Sequence, residues 1–193
     1  MLQMNYPFLI TGFARSGTTY MAEVLKALGY KVAHEQYAPD GVVSYRHLPF
    51  FTRFDRVLHQ TRHPLKVLSS CFTMEKTTYE RVILLTSSDP NIPESEWLKR
   101  HMWAWVEWCE HADFVSNYRY QIEMFPKIYP EVFMKLNLPV PLGIPDVPNN
   151  TNSRKNDSAY RNLTWYDLEE ADSYLCTRVR KLADVYGYSE EVA

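Results

Sequence analysis

Cysteine is scarce and scattered. Cys71, Cys109 and Cys176 are odd in number, far apart, and form no CxxC or Cys/His ligand spacing. That excludes a disulfide framework and a structural zinc site, and the expected setting is reducing and cytoplasmic. No apolar run approaches the roughly 18 residues that a membrane helix needs. The opening residues lack the basic segment and cleavage site of a secretion signal, so no membrane partner is expected. Nor is there an excess of positive charge: 21 Lys and Arg face 23 Asp and Glu, for a net charge of −2. A broad nucleic-acid footprint is therefore excluded, and any polyanion must be held by a local cluster. No repeat, low-complexity tract or interdomain linker is visible, so residues 1–193 are expected to form a single domain. Hydrophobic residues make up 46% of the chain and aromatics 15%, enough to build a sizeable core at this length.

Strand-like and helix-like segments alternate. Residues 6–11 are a short apolar run expected as a buried strand, followed by a glycine turn at 12–17 and a helix over 18–28 with Gly29 past its end. Further strands are expected at 30–34, 55–61 and 118–122. Helices are expected at 64–72 behind Pro64, at 94–116 with Trp97, His101, Trp105 and Trp108 near helical spacing, and at 126–136. Residues 37–52 and 139–157 read as loops, the latter holding four of the 12 prolines. Residues 73–93 read as a polar, mobile loop. Thr164-x-x-Asp167 has the form of a capping box opening a final helix to about Tyr186, closed by Gly187. This order predicts an α/β fold, three layers around a central, mainly parallel sheet.

The chemistry concentrates at Gly12-Phe-Ala-Arg-Ser-Gly-Thr-Thr19. Glycines between a strand and a helix let backbone N–H groups converge, and the helix N-terminus adds partial positive charge. The spacing is that of the phosphate loop G-x-x-x-x-G-K-[ST], but Thr18 stands where the lysine belongs and Arg15 supplies a cation three residues earlier. Without that lysine, ATP or GTP hydrolysis is disfavoured. A guanidinium instead offers a planar, permanently charged fork for a tetrahedral anion.

With its basic residue before Ser-Gly-Thr-Thr, the segment 11–20 resembles the 5′-phosphosulfate loop of the sulfotransferases that use 3′-phosphoadenylyl sulfate (PAPS). The resemblance implies the phosphate-loop-like sulfotransferase fold. It also implies that Gly12, Ala14, Arg15, Ser16, Gly17, Thr18 and Thr19 hold the 5′-phosphosulfate, with Arg15 stabilising the charge that develops as the sulfuryl group leaves. Tyr20 falls where many members place an aromatic against adenine; its alternative is a buried helix residue. The family's second signature, an Arg at the end of the third strand and a Ser eight residues on, is matched by Arg62 and Ser70, implying a clamp for the 3′-phosphate. Ser69 is the neighbouring alternative.

Some branches of the family use a glutamate about twenty residues after the loop cation, and Glu35 lies there; others use a histidine, which makes His34 the reserve base. Their adjacency in a strand predicts that the two point to opposite faces. Tyr118-Arg-Tyr120 resembles the family's fourth-strand segment, with Tyr120 at the adenine-facing position, although core packing accounts for it equally well. Arg154 lies in the region where many members close over the 3′-phosphate, a solvated loop charge being its other reading. Together these imply sulfuryl transfer from PAPS to a hydroxyl or amine of a small-molecule or carbohydrate acceptor, releasing adenosine 3′,5′-bisphosphate (PAP), with no metal. The alternatives are a catalytically inactive PAP/PAPS-binding module and a small phosphotransferase.

Overall fold

A computed structural model describes residues 5–46, 53–73, 77–148 and 156–188. They gather into two compact units. The first takes the described residues up to Thr61 and resumes at Ala112; the second takes Arg62–His111 and the described residues after 155.

The first unit is α/β. Its strands are β1 (Asn5–Thr11), β2 (Val32–His34), β3 (Gly41–Ser44), β4 (Arg53–Thr61) and β5 (Tyr118–Gln121), and its helices are α1 (Thr18–Ala27) and α5 (Phe125–Lys135). All four strand pairings are parallel, in the order β2-β3-β1-β4-β5. The alternation of β1 explains how the sheet is covered on two faces. Phe8 and Ile10 face Met21, Val24 and Leu25 of α1 and Val132 and Phe133 of α5. Leu9, on the opposite face, packs with Val42, Val57 and Val115.

β3 lies within residues 37–52, which read as loop from the sequence. Four residues are too few to display a period, and here all four are buried because β1 and β2 pair on either side. Gly41 is required at its start. Its φ is +147°, and an added Cβ would lie 2.5 Å from the ring of the fully buried Phe8.

The second unit is helical: α2 (Pro64–Cys71), α3 (Thr77–Thr86), most of α4 (Trp97–Val115), α6 (Trp165–Ala171) and α7 (Ser173–Val185). Pro64 opens α2 as expected, and the His63 ring accepts from the Leu65 N–H. The segment expected as a mobile loop instead carries α3, whose Tyr79 and Val82 are buried at helical spacing. The Thr164–Asp167 capping box is present, but the single final helix expected after it is two. Asp172 adopts an extended conformation and caps α7 through the Leu175 N–H at 2.9 Å, a better use of a short carboxylate than a helix interior. Trp103, Trp105 and Trp108 of α4 are core residues. At one end of this unit Arg161, Phe72, Trp97 and His101 stack in series. No helix among the described residues is long and apolar enough to cross a membrane.

Gly41→Ala is expected to destabilise the protein by about 1–3 kcal/mol, through overpacking against Phe8 and an unfavourable φ. Denaturant unfolding checks this: the midpoint should fall with the slope unchanged.

Candidate functional site

The carboxyl end of β1 delivers Gly12 into the centre of the sheet, where the connection from β1 leaves toward β2 on one side and that from its neighbour β4 toward β5 on the other. In open parallel sheets that switch point is where ligands bind. The loop that follows is tightly shaped. Gly12 N–H donates to Ser44 O at 3.2 Å, and Ser16 N–H closes a turn onto Phe13 O at 3.0 Å. Arg15 and Gly17 take left-handed φ values of 71° and 91°, and α1 opens at Gly17 with no side-chain cap. Successive reversals of backbone hand of this kind turn amides inward and make a concavity suited to an anion.

Two amides the sequence assigned to a ligand, those of Gly12 and Ser16, are thus already hydrogen-bonded within the protein. The first-turn amides at Thr18 and Thr19 have no acceptor inside the helix. Ala14 and Thr18 are buried; Arg15, Thr19 and Tyr20 are half-buried, with Tyr20 packed edge-on against Phe125. Ser16 is 2% exposed, and its hydroxyl has no hydrogen-bond partner among the described residues. A buried hydroxyl left over beside a concavity of amides suits an oxyanion.

His34 and Glu35 meet at this loop. The expectation that they point to opposite faces fails because β2 ends at His34 and Glu35 adopts a left-handed φ of 65°, which turns its side chain back. His34 Nε2 lies 3.1 Å from Thr18 Oγ1 and 3.1 Å from Glu35 Oε1. The Glu35 carboxylate also accepts from Ser44 Oγ at 2.7 Å and the Tyr45 N–H at 2.9 Å, with the Arg46 guanidinium 3.8 Å away. Burial lowers the His34 pKa to about 4, aided by the positive charges of Lys26 and Arg46 and opposed by Glu23. Burial raises that of Glu35, against the hydrogen bonds from Tyr45 and Ser44. Near neutral pH the imidazole is therefore uncharged. A proton on Nε2 would point at Glu35, since an ionised carboxylate only accepts. Thr18, His34 and Glu35 form a line from the loop to a carboxylate able to exchange a proton.

A residue that sequence reading passed over completes the arrangement. Gln60, fully buried on β4, donates from Nε2 to Ser16 O at 2.8 Å and accepts at Oε1 from the Tyr120 hydroxyl at 2.7 Å. Its own backbone carbonyl lies 2.5 Å from where a Gly12 Cβ would sit. Tyr120 is 3% exposed and belongs to the core cluster beneath α1 and α5. A neutral polar residue at the carboxyl end of a strand, between His59 and Thr61, was the available signal.

The remaining sequence-assigned residues belong to the second unit or lie outside the described residues. Arg62, half-buried, is the first residue after β4. Ser70 is buried in α2, its carbonyl accepting from the Thr73 N–H and hydroxyl. Ser69, the alternative to Ser70, is committed to the Leu163 N–H at 3.0 Å. Arg154 lies outside the described residues. Among the described residues no group of three or more His, Cys, Asp or Glu is arranged to hold a metal.

No family model matches this chain, and no curated protein matches it in sequence. Among solved structures, it is similar to mouse sulfotransferase SULT7A1 complexed with PAP, at 12% identity and a TM-score of 0.46. The likeness covers 82% of this chain and 65% of that one. The fold assignment rests on the parallel sheet itself.

In a residue-resolved NMR titration His34 is expected to stay neutral down to a midpoint near pH 4. A midpoint at the ordinary histidine value of about 6.5 would contradict the buried contact with Thr18 and Glu35. Because the folded value is the lower one, the unfolded chain takes up the proton first. The stability linked to His34 is complete above about pH 6.5 and declines as pH falls toward the folded midpoint.

Proposed function

We propose that the chain binds PAPS through the loop at residues 12–19 and transfers its sulfuryl group to a hydroxyl or amine acceptor, with Glu35 as the base. The observation that carries this reading is the contact of His34 with both Thr18 and Glu35. It joins an anion-shaped loop to a carboxylate whose pKa is raised by burial. A base poised nearer the working pH takes a proton more effectively than an ordinary surface carboxylate.

In the proposed step the acceptor oxygen or nitrogen attacks sulfur, its proton passes to Glu35, and the new bond to sulfur forms as the bond from sulfur to the phosphate oxygen breaks. PAP departs carrying the negative charge of that oxygen. Arg15 and the first-turn amides of α1 stabilise this charge electrostatically, so the step needs no metal. His34, uncharged, holds the carboxylate and the Thr18 hydroxyl in place. Arg62 and Ser70 are assigned to the 3′-phosphate on the sequence signature alone. The acceptor is a small molecule or a carbohydrate, and a cytoplasmic setting is the accompanying proposal.

Calorimetry without metal should find PAP bound more tightly than ADP or ATP. Arg62→Ala should weaken PAP by about 2–5 kcal/mol while leaving ADP unchanged. Equal affinities for PAP and ADP would remove the 3′-phosphate clamp, and magnesium-dependent ATP turnover would replace sulfuryl transfer with phosphoryl transfer. Glu35→Gln should lower acceptor turnover about 10²–10⁴-fold with PAP affinity retained. For the wild type, the acidic limb of the pH–rate profile should lie above the ordinary glutamate value because burial raises Glu35. Unchanged turnover in the variant would remove Glu35 as the base.

A further inference from the structure

We infer that Gln60 and Tyr120 form a positioning pair that fixes the conformation of the loop at residues 12–17. As a statement about ligand affinity, this rests on the reading of that loop as the nucleotide site. Gln60 meets the loop at three places. Its carbonyl fills the space a Gly12 side chain would need, its Nε2 donates to Ser16 O, and the same nitrogen lies 3.4 Å from where a Gly17 Cβ would be. Ser16 sits between the two left-handed residues Arg15 and Gly17, so the peptide that Gln60 grips is the one whose orientation sets the reversal.

An amide end is nearly symmetrical in shape, and turning it over would aim its oxygen at the Ser16 carbonyl, acceptor against acceptor. The Ser16 carbonyl, which only accepts, selects the orientation in which NH₂ faces the loop, and the Tyr120 hydroxyl holds the other end of the amide in that orientation by donating to Oε1. Tyr120 is well placed to do so. Its Cα pairs with that of Gln60 across β4 and β5, its carbonyl accepts from Thr61 Oγ1 at 3.2 Å, and its ring is buried against Phe125. A carboxylate at this position would reach equally far but would lose the donor and set negative charge behind an anion site. The amide keeps the reach without the charge.

The isosteric variant Gln60→Glu gives a readout that simple destabilisation would not move. Ionised, the introduced carboxyl cannot donate to Ser16 O; protonated, it can do so while accepting from Tyr120. Burial raises its pKa and brings protonation into an accessible range. The Tyr120 phenol faces it from β5, and burial holds that phenol protonated throughout. Arg15 on the loop stays charged. Titration of PAP, His34 and Glu35 cancels when variant and wild type are compared at each pH.

PAP dissociation constants measured on the full chain should be about tenfold or more weaker for Gln60→Glu than for wild type near pH 8. The ratio should shrink to about threefold near pH 5.5. Tyr120→Phe should weaken PAP by about three- to tenfold with a ratio that does not change with pH. A folded Gln60→Glu variant that matches wild type near pH 8, or whose deficit is the same at every pH, overturns the inference. If that variant does not fold, unchanged PAP affinity in Tyr120→Phe overturns it. Failure of the wild type to bind PAP would sink the nucleotide reading instead. Amide hydrogen exchange at residues 15–17 then decides the pair: faster exchange in Tyr120→Phe supports it, and unchanged exchange overturns it.

Discussion

The first unit depends on the close approach of two backbones where β1 gives way to its loop. The Gln60 carbonyl on β4 stands 2.5 Å from the position a Gly12 Cβ would take, so only glycine lets the chain pass. That approach brings the loop within reach of the Gln60 amide, which takes the Ser16 carbonyl, and Tyr120 on β5 takes the other end of the amide. On the far side, Gly12 N–H reaches Ser44 O on β3. Four of the five strands thus contribute directly to the seating of six residues. The geometry of the loop is a property of the sheet, in keeping with the rule that precise geometry is carried by rigid elements.

Around this seat, burial acts on protonation in opposite senses. It pushes His34 down toward about 4 and pushes Glu35 up, which leaves an uncharged imidazole beside a carboxyl group closer to taking a proton. Desolvation always disfavours the charged form, so one physical cause moves two neighbouring groups in opposite directions. The left-handed turn at Glu35 creates the pairing, since an extended residue would have sent the carboxylate to the other face.

Much of this was legible in the sequence, and the gaps have physical reasons. The strand, glycine turn and helix at residues 6–28 announced themselves because glycine, a missing lysine and apolar periodicity are local signals. β3 was invisible because four residues do not declare a period, and its burial comes from partners remote in sequence. α3 was hidden in a stretch that reads as polar, where Tyr79 and Val82 are the buried positions among the described residues. The break at Asp172 was masked by helix formers on both sides. The contact between His34 and Glu35 depends on one backbone angle, which strand alternation does not encode. Gln60 was passed over because a glutamine in a strand carries no chemistry until the carbonyl and hydroxyl it bridges are known.

Tyr120 also bears on how the protein is made. The loop is made before its seat, since Gln60 on β4 lies some 45 residues downstream and Tyr120 on β5 some 60 further on. Parallel pairing forbids a local hairpin, so closure waits for distant chain. A nascent polypeptide stopped short of β5 holds every loop residue and lacks the strand that settles their shape. The shape of the loop is therefore completed late in synthesis, when the fifth strand docks.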